Sequence, residues 1–219
     1  MDDTLIRYAR RLSHDLNNFS AVVRTYSELL LSELPADSSI YADVSEIQRT
    51  AESMVQYLQR VTRFARAGGM RRTPIAVDAG IVDATEAFQR QVGGRPVDVA
   101  VSTTAHIGAD AMWWRESLAE LLQNAHEAAP AGTPITVRAT ATATHAVIEV
   151  RDRGPGFPPM LANVGEPFVS AKGGVRGAGM GLALVTAFAS AQQGTVAFAR
   201  DGQDTVVRLE LPIVAPSAT

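Results

Sequence analysis

The chain has 219 residues, 46% of them hydrophobic and 20% charged, so it can bury a core and stay hydrated outside it. A net charge of −3 leaves no basic footprint for nucleic acid, and the lack of cysteine excludes disulfides and thiolate metal sites. The opening Met-Asp-Asp-Thr-Leu-Ile-Arg has no apolar centre for a signal peptide, and no apolar run approaches the roughly 20 residues that span a bilayer. These features predict a soluble, cytoplasmic chain with no membrane segment.

Residues 3–34 contain no glycine or proline, and Leu5, Leu12, Leu16, Phe19, Val23, Tyr26 and Leu30 recur at steps of three, four and seven. That spacing predicts one long helix with an apolar stripe. Pro35-Ala-Asp-Ser-Ser39 breaks it, and Ser38 or Ser39 can cap a second helix. Ile40, Val44, Ile47, Ala51, Met54, Leu58 and Val61 give that helix its own, nearly strict heptad stripe. Two long helices joined by a short turn make an antiparallel hairpin, expected over residues 1–67. One hairpin leaves much of both stripes in water. Two chains pairing into a four-helix bundle are the expected remedy, and a homodimer the expected state.

Ala67-Gly-Gly-Met-Arg-Arg-Thr-Pro74 carries the glycines of a linker, placed at 68–74. From 75 to 213 the pattern alternates between strand and helix. Ile75–Val77 reads as a short strand, Ala79–Gln91 as a helix ending at Gly93-Gly94, and Val97–Ser102 as a strand. Asp110 stands where it can cap a helix over Ala111–Ala129, which Pro130-Ala-Gly132 ends. Ile135–Thr142 and Ala146–Arg151 read as a β-hairpin. A helix near Met180–Gln192 precedes strands at Thr195–Ala199 and Thr205–Leu211, and 214–219 reads as a disordered tail. The expected architecture is α + α/β: a helical hairpin followed by an α/β sandwich with a mixed sheet.

Two glycine clusters in the second part carry the chemistry. Asp152-Arg-Gly-Pro-Gly-Phe157 leaves the end of a strand, and Gly177-Ala-Gly-Met-Gly-Leu182 runs directly into an apolar helix. Glycines that open a helix let backbone N–H groups approach a phosphate, and the helix dipole favours the anion. On the helix at 111–129, Trp114, Leu118, Leu121, Leu122 and Ala125 share one face, while Glu120, Asn124 and Glu127 share the other. A polar face of this kind is usually just solvated. In this order and spacing relative to the glycine clusters, it points to an acid and an amide converging on a metal and phosphate.

With these residues the chain resembles the GHKL ATP-binding fold, and within it the catalytic core of two-component sensor histidine kinases. Asn124, in Glu120-Leu-Leu-Gln-Asn-Ala125, matches the N box, and Asp152-Arg-Gly-Pro-Gly156 the G1 box. Glu166-Pro-Phe168 matches the F box and Gly177-Ala-Gly-Met-Gly-Leu182 the G2 box, while Thr205 precedes a closing strand that ends in Leu211-Pro212. The resemblance implies that the ligand is ATP with Mg²⁺, that Asn124 holds the metal, and that Asp152 accepts a hydrogen bond from the adenine amino group. It implies that Gly154 and Gly156 let the base come close. Lys172 and the amides around Gly179 and Gly181 would then bind phosphates under a lid at 166–180. Phe168, Gly177, Leu182 and Thr205 complete the implied nucleotide site. Glu120 stands where the family often has Asn. Glu there resembles the gyrase, heat-shock and mismatch-repair ATPases, where it activates water, and it also occurs among histidine kinases. It is either a ligand to the metal and its water, or a base.

Of the histidines, His106 and His145 sit beside strands, and His126 lies on the N-box helix away from the Asn124 face. His14 lies nearly opposite the Leu5–Leu30 stripe, so it projects from mid-helix into water. Alone, that is ordinary. Leu12-Ser-His-Asp-Leu-Asn-Asn18 resembles a histidine-kinase H box of the nitrogen-regulator and hybrid-kinase type, in a hairpin just ahead of the ATP domain. The resemblance implies that neutral His14 attacks the γ-phosphoryl group of ATP, with Asp15 holding the ring N–H and taking the proton. The phosphoryl group would then pass to an aspartate on the receiver domain of a response regulator. Asn18 matches the position that orients water for dephosphorylating that regulator. The sequence opens at the hairpin with no sensory segment ahead, which fits an excised core or a kinase controlled by another protein.

Other readings compete. A histidine phosphotransferase adapter shares the two-part plan but has lost ATP binding, which Asp152, Asn124 and both glycine boxes argue against. A mechanical GHKL ATPase would explain Glu120 but leave His14 idle. A serine kinase of the anti-sigma type lacks the phosphoacceptor hairpin. A non-enzymatic dimer scaffold would bind no nucleotide.

Overall fold

A computed structural model describes residues 3–66, 70–158, 163–170 and 179–216. Helices α1 (Asp3–Glu33) and α2 (Ser39–Arg66) form the hairpin. The Ser38 hydroxyl accepts from the Tyr41 N–H at 3.0 Å, satisfying one of the donors that the first turn of α2 leaves over. The α2 stripe divides between seam and surface, while none of the described members of the α1 stripe is buried. The seam between the helices buries Ser20 and Ser27 of α1 against Val44, Ala51 and Leu58 of α2, at a seven-residue spacing on each. The larger apolar side chains face outward: Leu12, Phe19, Val23, Tyr26, Leu30, Ile40 and Ile47 are between 40% and 67% exposed. Among the described residues no helix is long and apolar enough to cross a membrane.

Strand β1 (Thr73–Ala76) opens the sheet. It starts inside the expected linker because Thr73 and Pro74 already pair with Ala109 and Gly108. Proline is tolerated here since β1 lies at the sheet edge. Helix α3 (Val77–Val92), strands β2 (Val97–Val101) and β3 (His106–Ala109) and helix α4 (Ala111–Ala128) come next. After them stand β4 (Ile135–Ala141), β5 (His145–Asp152), helix α5 (Gly181–Ala191), β6 (Thr195–Asp201) and β7 (Asp204–Val214). The strands run in the order β1-β3-β7-β5-β4-β2, with β6 also on β7, and among the described residues only β2 and β4 pair in parallel.

The sheet is mixed and helices cover one face. Ile135, Val137 and Ala139 of β4 point into the core while Arg138 and Thr140 point to water, the alternation of a strand covered on one side. Into that core α3 sends Ile81 and Phe88, α4 sends Trp114, Leu118 and Leu121, and α5 sends Val185 and Phe188. Trp113 is buried as well, at 5% exposure, which widens the apolar face expected for α4.

Strand β3 was not expected, since His-Ile-Gly-Ala shows no apolar alternation. It corrects the C-terminal boundary too. Ile213 and Val214 pair with Ile107 and His106, so β7 continues into the stretch read as tail. Asp110 joins the parts. One carboxylate oxygen accepts from the Met112 and Trp113 N–H groups at the start of α4, and the other from the Arg71 N–H at 3.2 Å. A cap of this type stabilises a helix by about 1 kcal/mol.

Candidate functional site

The site is built where two strands end beneath the start of α5. On β5, Ala146, Ile148, Val150 and Asp152 alternate toward the helix layer, and on β7 Thr205, Val207, Leu209 and Leu211 do the same. Register places Asp152 opposite Thr205. A carboxylate, 6% exposed, therefore closes a row of apolar side chains. Its Oδ1 accepts from the Gly154 N–H at 2.6 Å. The Gly154 carbonyl in turn accepts from the Thr205 hydroxyl at 3.3 Å and from Arg200 Nη1 at 2.9 Å. Gly154 has no room for a side chain: a Cβ would stand 2.8 Å from that of Ala128. The turn is thus pinned from both sides.

Helix α4 forms the opposite wall. Its buried positions, Ser117, Leu118, Leu121, Leu122 and Ala125, keep helical spacing, and the adjoining face turns Glu120, Asn124 and Glu127 to a cavity of about 380 Å³. Asp152, Gly156, Gly179, Gly181, Leu182 and Thr205 line the same cavity. Gly181 brings α5 onto α4: a Cβ there would lie 2.7 Å from Glu120 Oε2 and 3.2 Å from Asn124 Nδ2. Helix α5 has no side-chain cap at Met180, which leaves its first N–H groups for an anion.

Among the described residues the buried Asn124 Nδ2 has no hydrogen-bond partner. Beside a carboxylate, such an amide suits a bound cation and its anion, because a phosphate at its nitrogen relieves the cost while the oxygen of the same amide meets the metal. Among the described residues no three of His, Cys, Asp and Glu gather into a metal site. A divalent ion here would rest on Glu120 and Asn124 and take its other oxygens from phosphate and water, as Mg²⁺ habitually does.

Not every expected residue converges. Phe168, with φ of 69°, is 66% exposed, and its neighbours Val169 and Ser170 line the cavity instead. Lys172, Gly177 and the stretch 171–178 of the expected lid lie outside the described residues. The sequence did not reveal the apolar wall, Val150, Phe157, Met180 and Val207, nor Arg60, which α2 brings to the cavity from another part of the chain. Arg60 Nε donates to Glu120 Oε1 at 2.7 Å.

One turn along both helices, Arg63 Nη1 stands 3.3 Å from Glu116 Oε2, close but out of hydrogen-bond alignment. Burial pushes the Glu116 carboxyl up from its ordinary 4.5; Arg63 pulls the other way and Glu120 adds to the rise. The folded protein therefore holds this proton more tightly than the unfolded chain does. That contribution is full at low pH and is lost as pH rises from 4.5 through the raised value. Glu116→Gln is expected to flatten the dependence of melting temperature on pH just above 4.5, measured by thermal melts from acid to neutrality.

On the hairpin the His14 side chain is 73% exposed. Its Nδ1 lies 3.2 Å from Asp15 Oδ1 and 3.4 Å from Asn18 Nδ2, so both neighbours meet the same ring nitrogen. One nitrogen cannot donate to Asp15 and accept from Asn18 together. With its proton on Nδ1 the ring donates to Asp15, and Nε2 carries the lone pair. The other histidines lie in the α/β part of the chain. His126 packs edge-on to Phe88 at 5.8 Å, His145 meets the Thr144 hydroxyl at 2.8 Å, and His106 lies within β3.

Residues 109–215 match the family described as histidine kinase-, DNA gyrase B-, and HSP90-like ATPase. That stretch is similar to the ATPase domains of this class. The chain as a whole is similar to sensor histidine kinases. The probable sensor histidine kinase TcrY of Mycobacterium tuberculosis is 27% identical over 223 residues, 96% of this chain and 46% of that protein. The sensor kinase CckA of Brucella abortus is 26% identical over 193 residues, 80% of this chain and 20% of that protein. The chain thus spans between a fifth and about half of the relatives it matches. Among solved structures, full-length ShkA in complex with AMPPNP shares the fold over 97% of this chain and 47% of its own, with a TM-score of 0.73 at 24% identity. The mycobacterial sensor histidine kinase MprB covers 65% of this chain and 97% of its own, with a TM-score of 0.58 at 25% identity.

Proposed function

We propose that the chain is the catalytic core of a histidine kinase that binds ATP with Mg²⁺ between α4 and α5, phosphorylates His14, and passes the phosphoryl group to an aspartate of a response regulator. The observation that carries this is the His14–Asp15–Asn18 cluster, set in water on a chain whose ATPase domain pairs a buried Asp152 with an unsatisfied Asn124. His14 Nε2 forms a bond to the γ-phosphorus, the bond from that phosphorus to the β,γ-bridging oxygen breaks, ADP leaves with the electron pair, and the Nδ1 proton passes to Asp15. Bound Mg²⁺ supplies charge neutralisation at the phosphates. Glu120 and Asn124 hold that end, the α5 amides bind the anion, and Asp152 fixes the base. Two copies pairing through the outward apolar rows of the hairpin give the functional dimer, and its location is cytoplasmic.

Incubation with γ-labelled ATP and Mg²⁺ tests the reading. An acid-labile, base-stable label that moves to a receiver domain is expected. Phosphate release without label would mean a GHKL-type ATPase with Glu120 as its base, and no binding at all would mean an adapter or scaffold. Asn18 refines the picture. Asn18→Ala should leave autophosphorylation within about twofold but slow dephosphorylation of the phosphorylated regulator by about tenfold or more, the usual scale for losing a group that positions water. An unchanged dephosphorylation rate would remove Asn18 from that role.

A further inference from the structure

Glu120 already holds a cation. The Arg60 guanidinium donates to Glu120 Oε1 at 2.7 Å, with the two side chains only 26% and 12% exposed. The other oxygen, Oε2, faces the start of α5, where a Cβ on Gly181 would come within 2.7 Å of it. Among the described residues that line the cavity, Arg60 alone comes from the hairpin. It belongs to a two-rung ladder. Arg60 and Arg63, one turn apart on α2, meet Glu120 and Glu116, one turn apart on α4, so the helices run past each other in opposite directions.

We propose that Arg60 is a determinant of metal–nucleotide affinity: it competes with the divalent ion for Glu120, so that binding of the metal–nucleotide loosens α2 from α4. The proposal rests on the reading of the cavity as a Mg²⁺–ATP site. The charges give the mechanism. A guanidinium bonded to one oxygen of a carboxylate repels a divalent cation at the other, and so little solvent leaves that repulsion weakly screened. Whatever Arg60 costs the metal–nucleotide, the metal–nucleotide costs the Arg60–Glu120 pair, because coupling between two binding events is reciprocal. Residues 17–24 of α1 and 51–56 of α2 line one cleft, so antiparallel pairing carries His14 toward the end of the hairpin where Arg60 lies. The helix pair that is freed is therefore the one that bears the phosphoacceptor.

Titration calorimetry with AMPPNP tests this on the full chain, in Mg²⁺ and again in EDTA. Arg60→Ala should bind about tenfold more tightly than wild type in Mg²⁺, within the usual span of coupling factors, and lose that advantage in EDTA. Arg60→Lys keeps a cation and should stay near wild type. Arg63→Ala breaks the outer rung without reaching the cavity and should gain much less. Hydrogen exchange along α2 should rise when AMPPNP and Mg²⁺ are added to wild type. Equal or weaker binding by Arg60→Ala in Mg²⁺ would overturn the proposal, as would an equal gain in Arg63→Ala, which would make docking of the whole hairpin the determinant. Failure of wild type to bind AMPPNP in either condition would overturn the underlying site reading and the proposal with it.

Discussion

His14→Ala is expected to remove all covalent label from the protein while leaving nucleotide affinity unchanged. The loss is complete rather than partial because the substituted ring is the acceptor: without Nε2 there is no atom to form the N–P bond. Asp15 cannot replace it as an acid-labile, base-stable acceptor, since an acyl phosphate hydrolyses in base. Stability should change little, because the His14 side chain is 73% exposed and its polar contacts run to Asp15 and Asn18 on the same helix. Calorimetry with AMPPNP, run beside the labelling, separates loss of the acceptor from loss of the fold. Label that persists at the wild-type level would exclude His14 and, with it, the kinase reading of the hairpin.

Asp152→Asn is expected to weaken adenine nucleotides by about 100-fold, about 2.7 kcal/mol, on the scale of a lost hydrogen bond to a buried charge. The design of the turn makes this substitution sharper than alanine. Oδ1 of Asp152 accepts from the Gly154 N–H at 2.6 Å, and asparagine preserves that bond only by placing its oxygen there. Its NH₂ then points to the cavity, donor against the adenine amino donor. An inosine nucleotide, which presents a carbonyl at that position, should lose much less than the adenine nucleotide. Equal losses for both bases would mean that Asp152 holds the turn and does not read the base. Sedimentation of the variant should match wild type, since the hairpin is untouched.

The parts of the molecule legible from sequence are those governed by local rules. The hairpin comes from heptad spacing and a single proline, Asp110 from the need to cap α4, and the two glycine turns from the close approach that only glycine permits. The features that escaped depend on distant partners. His106-Ile-Gly-Ala109 has little strand character of its own and forms β3 because β1 and the end of β7 flank it. Val214 looked like tail for the same reason. Phe168 was legible as part of a motif, yet the backbone at φ 69° leaves its ring 66% exposed and outside the cavity. Arg60 is an ordinary polar position in a heptad, and its partner Glu120 is sixty residues away. The apolar stripes were correct as a pattern, but a stripe does not say which of its edges meets the neighbouring helix. Here Ser20 and Ser27 take the seam, while Phe19 and Tyr26, one residue before them, face out.

On the proposed pairing of two hairpins, that seam ties part of the molecule to its own abundance. Two serines against Val44, Ala51 and Leu58 bury little hydrocarbon per turn, so the helices cannot draw much cohesion from each other. The α/β layer, with Trp114, Phe188 and the sheet behind them, keeps its core at any dilution. If the outward rows find their match on a second copy, mass action weakens the hairpin by about 1.4 kcal/mol for every tenfold fall in concentration and leaves the rest alone. A sparse cell would then hold chains that grip nucleotide normally while the helices carrying His14 unravel, and signalling output would vanish before nucleotide binding did.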